Sequence, residues 1–321
     1  MDITASISEM GDVPRISLAP SRSAEDIATE IRAACLKNGF FQVTDYYQIV
    51  PRDLPGQALA AAREFFNLPL AIKRGLHKVD HVAGGYEPYK VMNLDPSDPM
   101  GYGHNEGFSF AAEPTPTAWP STADLPAFKQ VMRSYYGAVT DLAKSLGRFL
   151  ALGLNLPDSY FDDFYQDQLA HVKLAHYYRS DGSKVTESNV GVAPHTDWGA
   201  ITILLQDEVG GLEVLDQESS EWIKVPPIPD AFVINLGDLL ARWTNDEYKS
   251  TKHRVISPPP GVHRYSIPFF SQGHPDYIVR TIQTCLKEGE QTKYSPIRAE
   301  DYLKLKFEST YNMNRDPGLI L

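Results

Sequence analysis

The stretch VAPHTDWGAITILL, residues 192–205, decides the predicted fold and site of this chain. Its first half places His195 and Asp197 two residues apart, and its second half is an apolar run typical of a buried strand. In an extended strand residues i and i+2 point to the same face, so we expect the imidazole and the carboxylate to lie side by side. Such a pair supplies two candidate ligands for a metal ion.

A third ligand is expected from His253, which lies in a second β-prone run, KHRVI, at 252–256. If the two runs pair as strands, His253 joins His195 and Asp197 in a three-point site. Two histidines and one carboxylate on one side of a metal leave the opposite positions open, as in non-haem Fe(II) oxygenases. The spacing His-x-Asp alone is weak evidence, because a surface histidine beside a solvated aspartate has the same spacing.

Arg264 and Ser266 strengthen this interpretation, because they follow His253 and share one strand face. A guanidinium group binds a carboxylate through two parallel hydrogen bonds, and a serine hydroxyl adds a third donor. A metal site with open positions beside a carboxylate clamp indicates a chelating organic acid as co-substrate.

These motifs together resemble those of the Fe(II)/2-oxoglutarate-dependent oxygenases, in the subgroup of isopenicillin N synthase and the plant flavonoid and gibberellin oxygenases. The resemblance runs from about residue 13 to about residue 311. Further motifs that agree with it are NLGDLL at 235–240, RWTN at 242–245, YKSTKHRV at 248–255 and RYSIPFF at 264–270.

The resemblance implies an iron enzyme that uses 2-oxoglutarate and O2 as co-substrates. His195, Asp197 and His253 are implied as the Fe(II) ligands and catalytic residues, and Arg264 and Ser266 as partners of the far 2-oxoglutarate carboxylate. The implied reaction oxidises a C–H bond of a small metabolite, by hydroxylation, desaturation or ring formation or rearrangement, in secondary metabolism.

The run HYYR at 176–179 stands where relatives have Asn-Tyr-Tyr-Pro. The second tyrosine of that motif binds the 2-oxoglutarate carboxylate in relatives, so the resemblance implies this role for Tyr178. His176 replaces the asparagine, and two roles stay open for it: a hydrogen bond to the co-substrate, or a satisfied polar group of the core.

Aromatic side chains are candidates for the substrate pocket. Phe270 has the strand parity of Arg264 and is therefore expected to face inward. Other candidate walls are Phe269, Trp198 and Trp243. A further aromatic group either packs its loop onto the core or lines the pocket: Tyr86, Tyr89, Tyr102, Phe108 and Phe110.

Two other functions compete with this interpretation. An oxidase like isopenicillin N synthase would use no 2-oxoglutarate, and its similar Arg-x-Ser binds its own substrate; Tyr178 favours the 2-oxoglutarate enzyme over it. An inactive barrel or a zinc hydrolase on the same scaffold is less favoured, because neither needs the full set of ligands and the clamp.

The spacing of apolar residues predicts a mainly β protein with flanking helices and a double-stranded β-helix (jelly roll) core. We expect an N-terminal helical and mixed region at 1–167, a jelly-roll dioxygenase domain at 168–275 and a C-terminal helical tail at 276–321. Predicted helices cover 24–38, 54–67, 124–156 and 296–311, the last packing back over the barrel. The stretch 73–100 is predicted to be irregular.

Composition limits the partners of this chain of 321 residues. Its net charge of −11 argues against nucleic acid or an anionic membrane as a partner. The first ten residues lack the pattern of a secretory signal, and Cys35 and Cys285 are too few and too far apart to indicate a disulfide framework. We expect a cytoplasmic enzyme with a small-molecule substrate and no obligate protein partner.

Overall fold

Two β-sheets form the centre of the computed structural model, which describes residues 13–77, 84–89, 105–179 and 190–313. The helices in these ranges are α1 (Ala24–Lys37), α2 (Leu54–Phe66), α3 (Leu70–Gly75), α4 (Phe128–Gly153), α5 (Asp162–Tyr165), α6 (Asp238–Trp243) and α7 (Ala299–Met313). The strands are β1 (Arg15–Ser17), β2 (Phe40–Thr44), β3 (Gly85–Glu87), β4 (Asn105–Ala111), β5 (Leu169–Tyr177), β6 (Val190–His195), β7 (Ile201–Gln206), β8 (Leu212–Leu215), β9 (Trp222–Lys224), β10 (Phe232–Leu236), β11 (His253–Ile256), β12 (Arg264–Gly273), β13 (Ile278–Val279) and β14 (Ile297–Arg298).

The two sheets form the predicted jelly roll. The large sheet has the strand order β1-β2-β10-β7-β12-β5-β4-β3, and the small sheet has the order β6-β11-β8-β9. An apolar layer with members from both sheets fills the space between them. Its buried members are Phe40, Ala175, Tyr177, Leu204, Leu212, Val214, Val225, Val233 and Val255.

Helices α1, α2 and α4 cover the outer face of the large sheet, where the larger of the two apolar clusters lies. The long apolar stripe predicted for α4 is confirmed, since Tyr135, Val139 and Leu142 are fully buried. The predicted start and end of α1 are also confirmed. Ser23 accepts a hydrogen bond from the Asp26 amide, and Gly39 adopts a positive φ of 65° just after the helix.

The region before α4 contains more regular structure than predicted. The stretch predicted as irregular contains the second half of α3 and the whole of β3, and the sequence did not predict β4. Strand β4 escapes prediction because a buried acid, Glu106, interrupts the apolar alternation of Phe108 and Phe110. Phe108, Phe110 and Tyr86 lie in the core, which confirms the packing role for these three, while Tyr102 lies outside the described residues.

Helix α7 packs back onto the barrel, as predicted. Its Phe307 contacts Trp198 with ring centroids 5.0 Å apart, and its Lys306 forms a 2.6 Å ion pair with Asp238 at the start of α6. None of the helices in the described ranges is long and apolar enough to cross a membrane. Cys35 and Cys285 are both buried as free thiols.

The predicted division of the chain at 167/168 and 275/276 stays a prediction. The large sheet crosses the first of these boundaries, because β1 to β4 lie in the same sheet as β5, β7, β10 and β12. The N-terminal region therefore completes the sheet on which the site is built.

Candidate metal centre

The structure brings His195, Asp197 and His253 together at one end of the barrel. His195 ends β6 and lies directly opposite His253 on β11. The Nε2 atoms of the two histidines lie 3.7 and 3.8 Å from Oδ1 of Asp197, and one potential ligand atom of each residue lies within 4.8 Å of the others. The predicted pairing of the two strands is therefore confirmed.

Backbone carbonyls orient both imidazoles. Nδ1 of His195 donates to the Ala193 carbonyl at 2.8 Å, and Nδ1 of His253 donates to the Thr251 carbonyl at 3.1 Å. These bonds leave each Nε2 with a lone pair towards Asp197. Burial, reinforced by the nearby His253, lowers the pKa of His195 to about 4, so this imidazole is neutral and ready to bind a metal near pH 7.

Two hydrogen bonds fix the carboxylate of Asp197. Thr202 donates to Oδ2 at 2.6 Å and Asn235 at 2.7 Å, which leaves Oδ1 directed at the histidines. Burial by itself would raise the pKa of Asp197, but the two imidazoles and these hydrogen bonds outweigh it and keep the pKa below its usual value. Two imidazole nitrogens and one carboxylate oxygen thus face a common point, and this donor set fits a ferrous ion.

Arg264 lies on the inner face of β12 and is only 1% exposed. Its guanidinium donates to Ser266 Oγ at 3.3 Å and to Gln206 Oε1 at 3.2 Å, and it lies 4.7 Å from the centre of the Tyr177 ring. No acidic side chain of the described residues forms an ion pair with it. Arg264 Nε and Gln206 Nε2 are buried donors that lack a partner in the described ranges. Such a pocket suits an anion, because a buried unpaired charge is costly.

The structure does not bring Tyr178 to Arg264, with which it was implied to share the 2-oxoglutarate carboxylate. The residue opposite Arg264 is Tyr177, and neighbouring residues of a strand point to opposite faces. Tyr178 instead stacks on His176 with ring centroids 4.8 Å apart, on the outer face. His176 is bound there by Glu106 at 2.9 Å, so the structural role is the correct one of its two open roles.

Among the candidate walls, Phe270 faces inward as predicted and stacks on His171 with centroids 4.7 Å apart. Phe269 and Trp243 do not line the site. Phe269 points outward to Tyr136, and Trp243 packs against Phe161 and is 1% exposed.

Sequence reasoning missed three residues of the site besides Tyr177: Thr202, Gln206 and Asn235. A signal for two of them was present. Thr202 and Gln206 are the polar members of an otherwise apolar strand and are four residues apart, so they share the inner face. Asn235 lies in the motif NLGDLL, but its contact with Asp197 depends on the pairing of β10 with β7.

Comparison with known proteins identifies the chain. Two family models match it: the 2OG-Fe(II) oxygenase superfamily over residues 170–273, and the N-terminal region of the non-haem dioxygenases in morphine synthesis over residues 13–127. HxnY of Emericella nidulans, a 2-oxoglutarate-Fe(II) type oxidoreductase, is 38% identical over 299 residues, which are 89% of this chain and 85% of the relative. This chain belongs to the 2OG-Fe(II) oxygenase superfamily.

Other members of the superfamily are similar over their whole length. Proline hydroxylase buaE of Petromyces alliaceus is 32% identical over 318 residues, which are 91% of this chain and 96% of that protein. A full-length protein of Neurospora crassa has been crystallised in complex with alpha-KG and thymine. Its structure has a TM-score of 0.83 at 28% identity, and the match covers 95% of this chain and 99% of the Neurospora chain.

As a member of this superfamily, the protein is an Fe(II)- and 2-oxoglutarate-dependent dioxygenase. The alternative of an oxidase that does not use 2-oxoglutarate is not favoured, because the relatives are named for this co-substrate and the Neurospora protein is bound to it.

Proposed function

We propose that His195, Asp197 and His253 hold the ferrous ion and that Arg264 and Ser266 hold the far carboxylate of 2-oxoglutarate. The observation that supports this most is the pair of unpartnered buried donors, Arg264 Nε and Gln206 Nε2, on the inner face of the barrel. The proposed reaction is the oxidation of a C–H bond of a small metabolite in secondary metabolism. Proline hydroxylase buaE and the thymine-bound Neurospora protein are relatives whose names or ligands indicate small substrates.

The ferrous ion, when bound, would supply the activation of O2 that is coupled to the oxidation of 2-oxoglutarate. The protein positions the reactants. Arg264 is held by Gln206 and Ser266, so it fixes one end of a dicarboxylic acid and directs the other end towards the triad. Tyr177 covers one face of the guanidinium, which keeps the contact away from water.

The surroundings of the triad hold its side chains in place. The ring of Phe40 lies edge-on to His253 with centroids 5.3 Å apart, and Thr202 and Asn235 hold Asp197 in one orientation. A rigid ligand set reduces the reorganisation needed when the metal binds, and apolar walls protect reactive intermediates from water.

We propose a cytoplasmic location for the enzyme, supported by the two buried free thiols, Cys35 and Cys285.

An anaerobic titration tests the proposed function. Addition of Fe(II) and then 2-oxoglutarate to the full-length protein should produce a weak visible charge-transfer band, and exposure to O2 should then yield succinate. Asp197→Ala should abolish both signals, since it removes the anionic ligand. Thr29→Ala, a change on the exposed surface of α1, is the control and should behave as the wild type. A wild-type protein that shows neither the band nor succinate would refute the proposal.

A further inference from the structure

Three polar side chains lie on the inner face of the large sheet, on the side of β5 away from the triad. Lys173 on β5 is directly opposite Ser109 on β4, and Glu87 lies on the following strand, β3. Lys173 and Tyr177 are four residues apart on one strand, so both side chains point to the inside of the barrel. We call Lys173, Glu87 and Ser109 the polar anchor.

The polar anchor is held together by short contacts. Lys173 Nζ lies 2.7 Å from Glu87 Oε2, and Ser109 donates to Glu87 Oε1 at 2.6 Å. Gly107 makes room for this pair, because a Cβ there would lie 2.9 Å from Lys173 Cε. The side chains of Lys173 and Glu87 are 18% and 15% exposed, so neither is fully enclosed by the protein.

A flat aromatic wall connects the polar anchor with the triad. His171 and Phe270 stack with an interplanar angle of 26°. Phe270 on β12 lies directly opposite Thr202 on β7, and the Thr202 hydroxyl donates a hydrogen bond to Asp197. Lys173 lies two strands away from Thr202 across the sheet and two residues further along its strand, so the two residues are about 12 Å apart. A compound of one or two rings spans most of this distance.

We propose that the substrate is a planar ring compound whose far edge is a cyclic amide. Its ring lies on the His171–Phe270 wall, its carbonyl accepts a hydrogen bond from Lys173, and its N–H donates to Glu87. The opposite edge of the ring system then presents its C–H bond to the triad. This inference rests on the proposed function, since it assigns the substrate class of the same site.

The charges of the polar anchor favour a neutral edge over an ionic one. Lys173 and Glu87 compensate each other, so a carboxylate placed on them would face Glu87 and a cation would face Lys173. Juxtaposed like charges are strongly unfavourable in a water-poor site. A cyclic amide offers one acceptor and one donor side by side, which complements the ammonium and the carboxylate together.

The affinity of three probes tests this substrate class. The full-length protein with Fe(II) and 2-oxoglutarate is titrated under argon with 2-quinolone, N-methyl-2-quinolone and quinoline-2-carboxylate, and calorimetry measures each Kd. We expect 2-quinolone to bind about ten-fold or more tightly than the other two, because N-methylation removes the hydrogen bond to Glu87 and the carboxylate faces the like charge of Glu87. Equal affinities, preference for the carboxylate, or no binding of any probe would overturn the inference.

The visible band of the iron–co-substrate complex is recorded in the same samples. If the band is present without a preference for the amide, only the substrate class is wrong. If the band is absent from the wild type, the proposed function itself is wrong.

Variants locate the preference at the anchor. Lys173→Met and Glu87→Gln should each reduce it to within about three-fold, whereas Lys173→Arg, which keeps a cationic donor, should retain more of it. Lys144→Met, on the exposed face of α4, is the matched control and should keep the wild-type ranking. A wild-type ranking in both Lys173→Met and Glu87→Gln would overturn the assignment. The affinity ranking of the three probes in the wild-type protein tests the inference even if a variant does not fold.

Discussion

The two faces of the large sheet both bury charged side chains, but the buried Glu106 of the outer face has its counter-charge within the chain, whereas the buried Arg264 of the inner face has none in the described ranges. On the outer face Glu106 accepts hydrogen bonds from Lys73 at 2.8 Å, Tyr86 at 2.5 Å and His176 at 2.9 Å. On the inner face Arg264 is equally buried, yet no acid of the described ranges pairs with it. One sheet thus has a completed ionic network on its outer face and an unpaired buried charge on its inner face.

This difference separates structural charge from functional charge. A buried ion maintains the fold when the chain itself supplies all of its partners. Removal of one partner leaves the other charge buried and unpaired, which has a large desolvation cost. A buried ion without a partner already bears that cost in the ligand-free protein. It is stabilised when a ligand of opposite charge binds. A binding site differs from a packed core in this respect.

The largest effect is expected on the outer face. Glu106→Ala should lower the free energy of unfolding by about 3–5 kcal/mol, because it leaves the Lys73 ammonium buried without a counter-charge. Urea denaturation measures this loss. Glu30→Ala removes the exposed partner of Arg22 and should cost less than about 1 kcal/mol. Equal losses in the two variants would show that the outer network is not a structural ion pair.

The next effect is expected on the inner face and in a different measurement. Arg264→Ala should raise the apparent KM for 2-oxoglutarate about ten- to a hundred-fold, since a charge-assisted contact is worth about 1.5–3 kcal/mol. Its free energy of unfolding should stay close to that of the wild type. Arg63→Ala, on the outer face near Tyr265, is the matched control and should leave the KM unchanged. If Arg264→Ala showed a normal KM, the clamp assignment would be wrong.

The outer network should also make stability depend on pH. Burial lowers the pKa of His176 despite the opposing effect of Glu106, so the unfolded chain takes up a proton below pH about 6.5 before the folded chain does. Stability should therefore fall as the pH drops from 7.5 to 5.5, by at most about 1.4 kcal/mol per pH unit from this residue.

The comparison of His176→Gln with the wild type isolates this contribution, because other buried groups such as His195 remain in both proteins. The wild type should lose more stability than the variant between pH 7.5 and 5.5 in urea denaturation. An equal loss would mean that His176 is protonated in the folded protein.

The smallest effect distinguishes two neighbouring tyrosines. Tyr177→Leu removes the ring beside Arg264 and should weaken 2-oxoglutarate binding about two- to five-fold, the usual size of a cation–π contact of about 0.5–1 kcal/mol. Tyr178→Leu should leave the binding unchanged, because its ring lies on the other face. Calorimetric titration with 2-oxoglutarate measures both. A loss confined to Tyr178→Leu would restore the role implied by the family motif.

The sequence predicted most of what local pattern determines. The jelly roll and the helices α1, α2, α4 and α7 follow from the spacing of apolar residues, and the convergence of His195, Asp197 and His253 follows from the family motifs. Strand parity does not account for Asp197, because β6 ends at His195 and Asp197 lies in the segment that follows it. The comparison of HYYR with the family motif assigned the co-substrate role to Tyr178, whereas the residue that faces Arg264 is Tyr177. Parity shows which residues of a strand share a face, but only the register with β12 shows which face meets Arg264.

What the sequence could not show depends on contacts between distant segments. Strand β3 has three residues, and β4 contains a buried acid that is stabilised by Lys73, 33 residues earlier in the chain. The hydrogen bond from Asn235 on β10 to Asp197, in the segment between β6 and β7, joins residues that are 38 positions apart. No local periodicity encodes such pairs, because they exist only after the sheet has formed.

The continuity of the large sheet across the two halves of the chain has an evolutionary consequence. The triad and the Arg264 clamp come from strands β6 to β12 and the segments that join them, whereas Glu87 and Ser109 come from β3 and β4, well before them in the sequence. Changes in the early strands can thus redirect the enzyme to a new metabolite while the oxidising machinery is inherited intact.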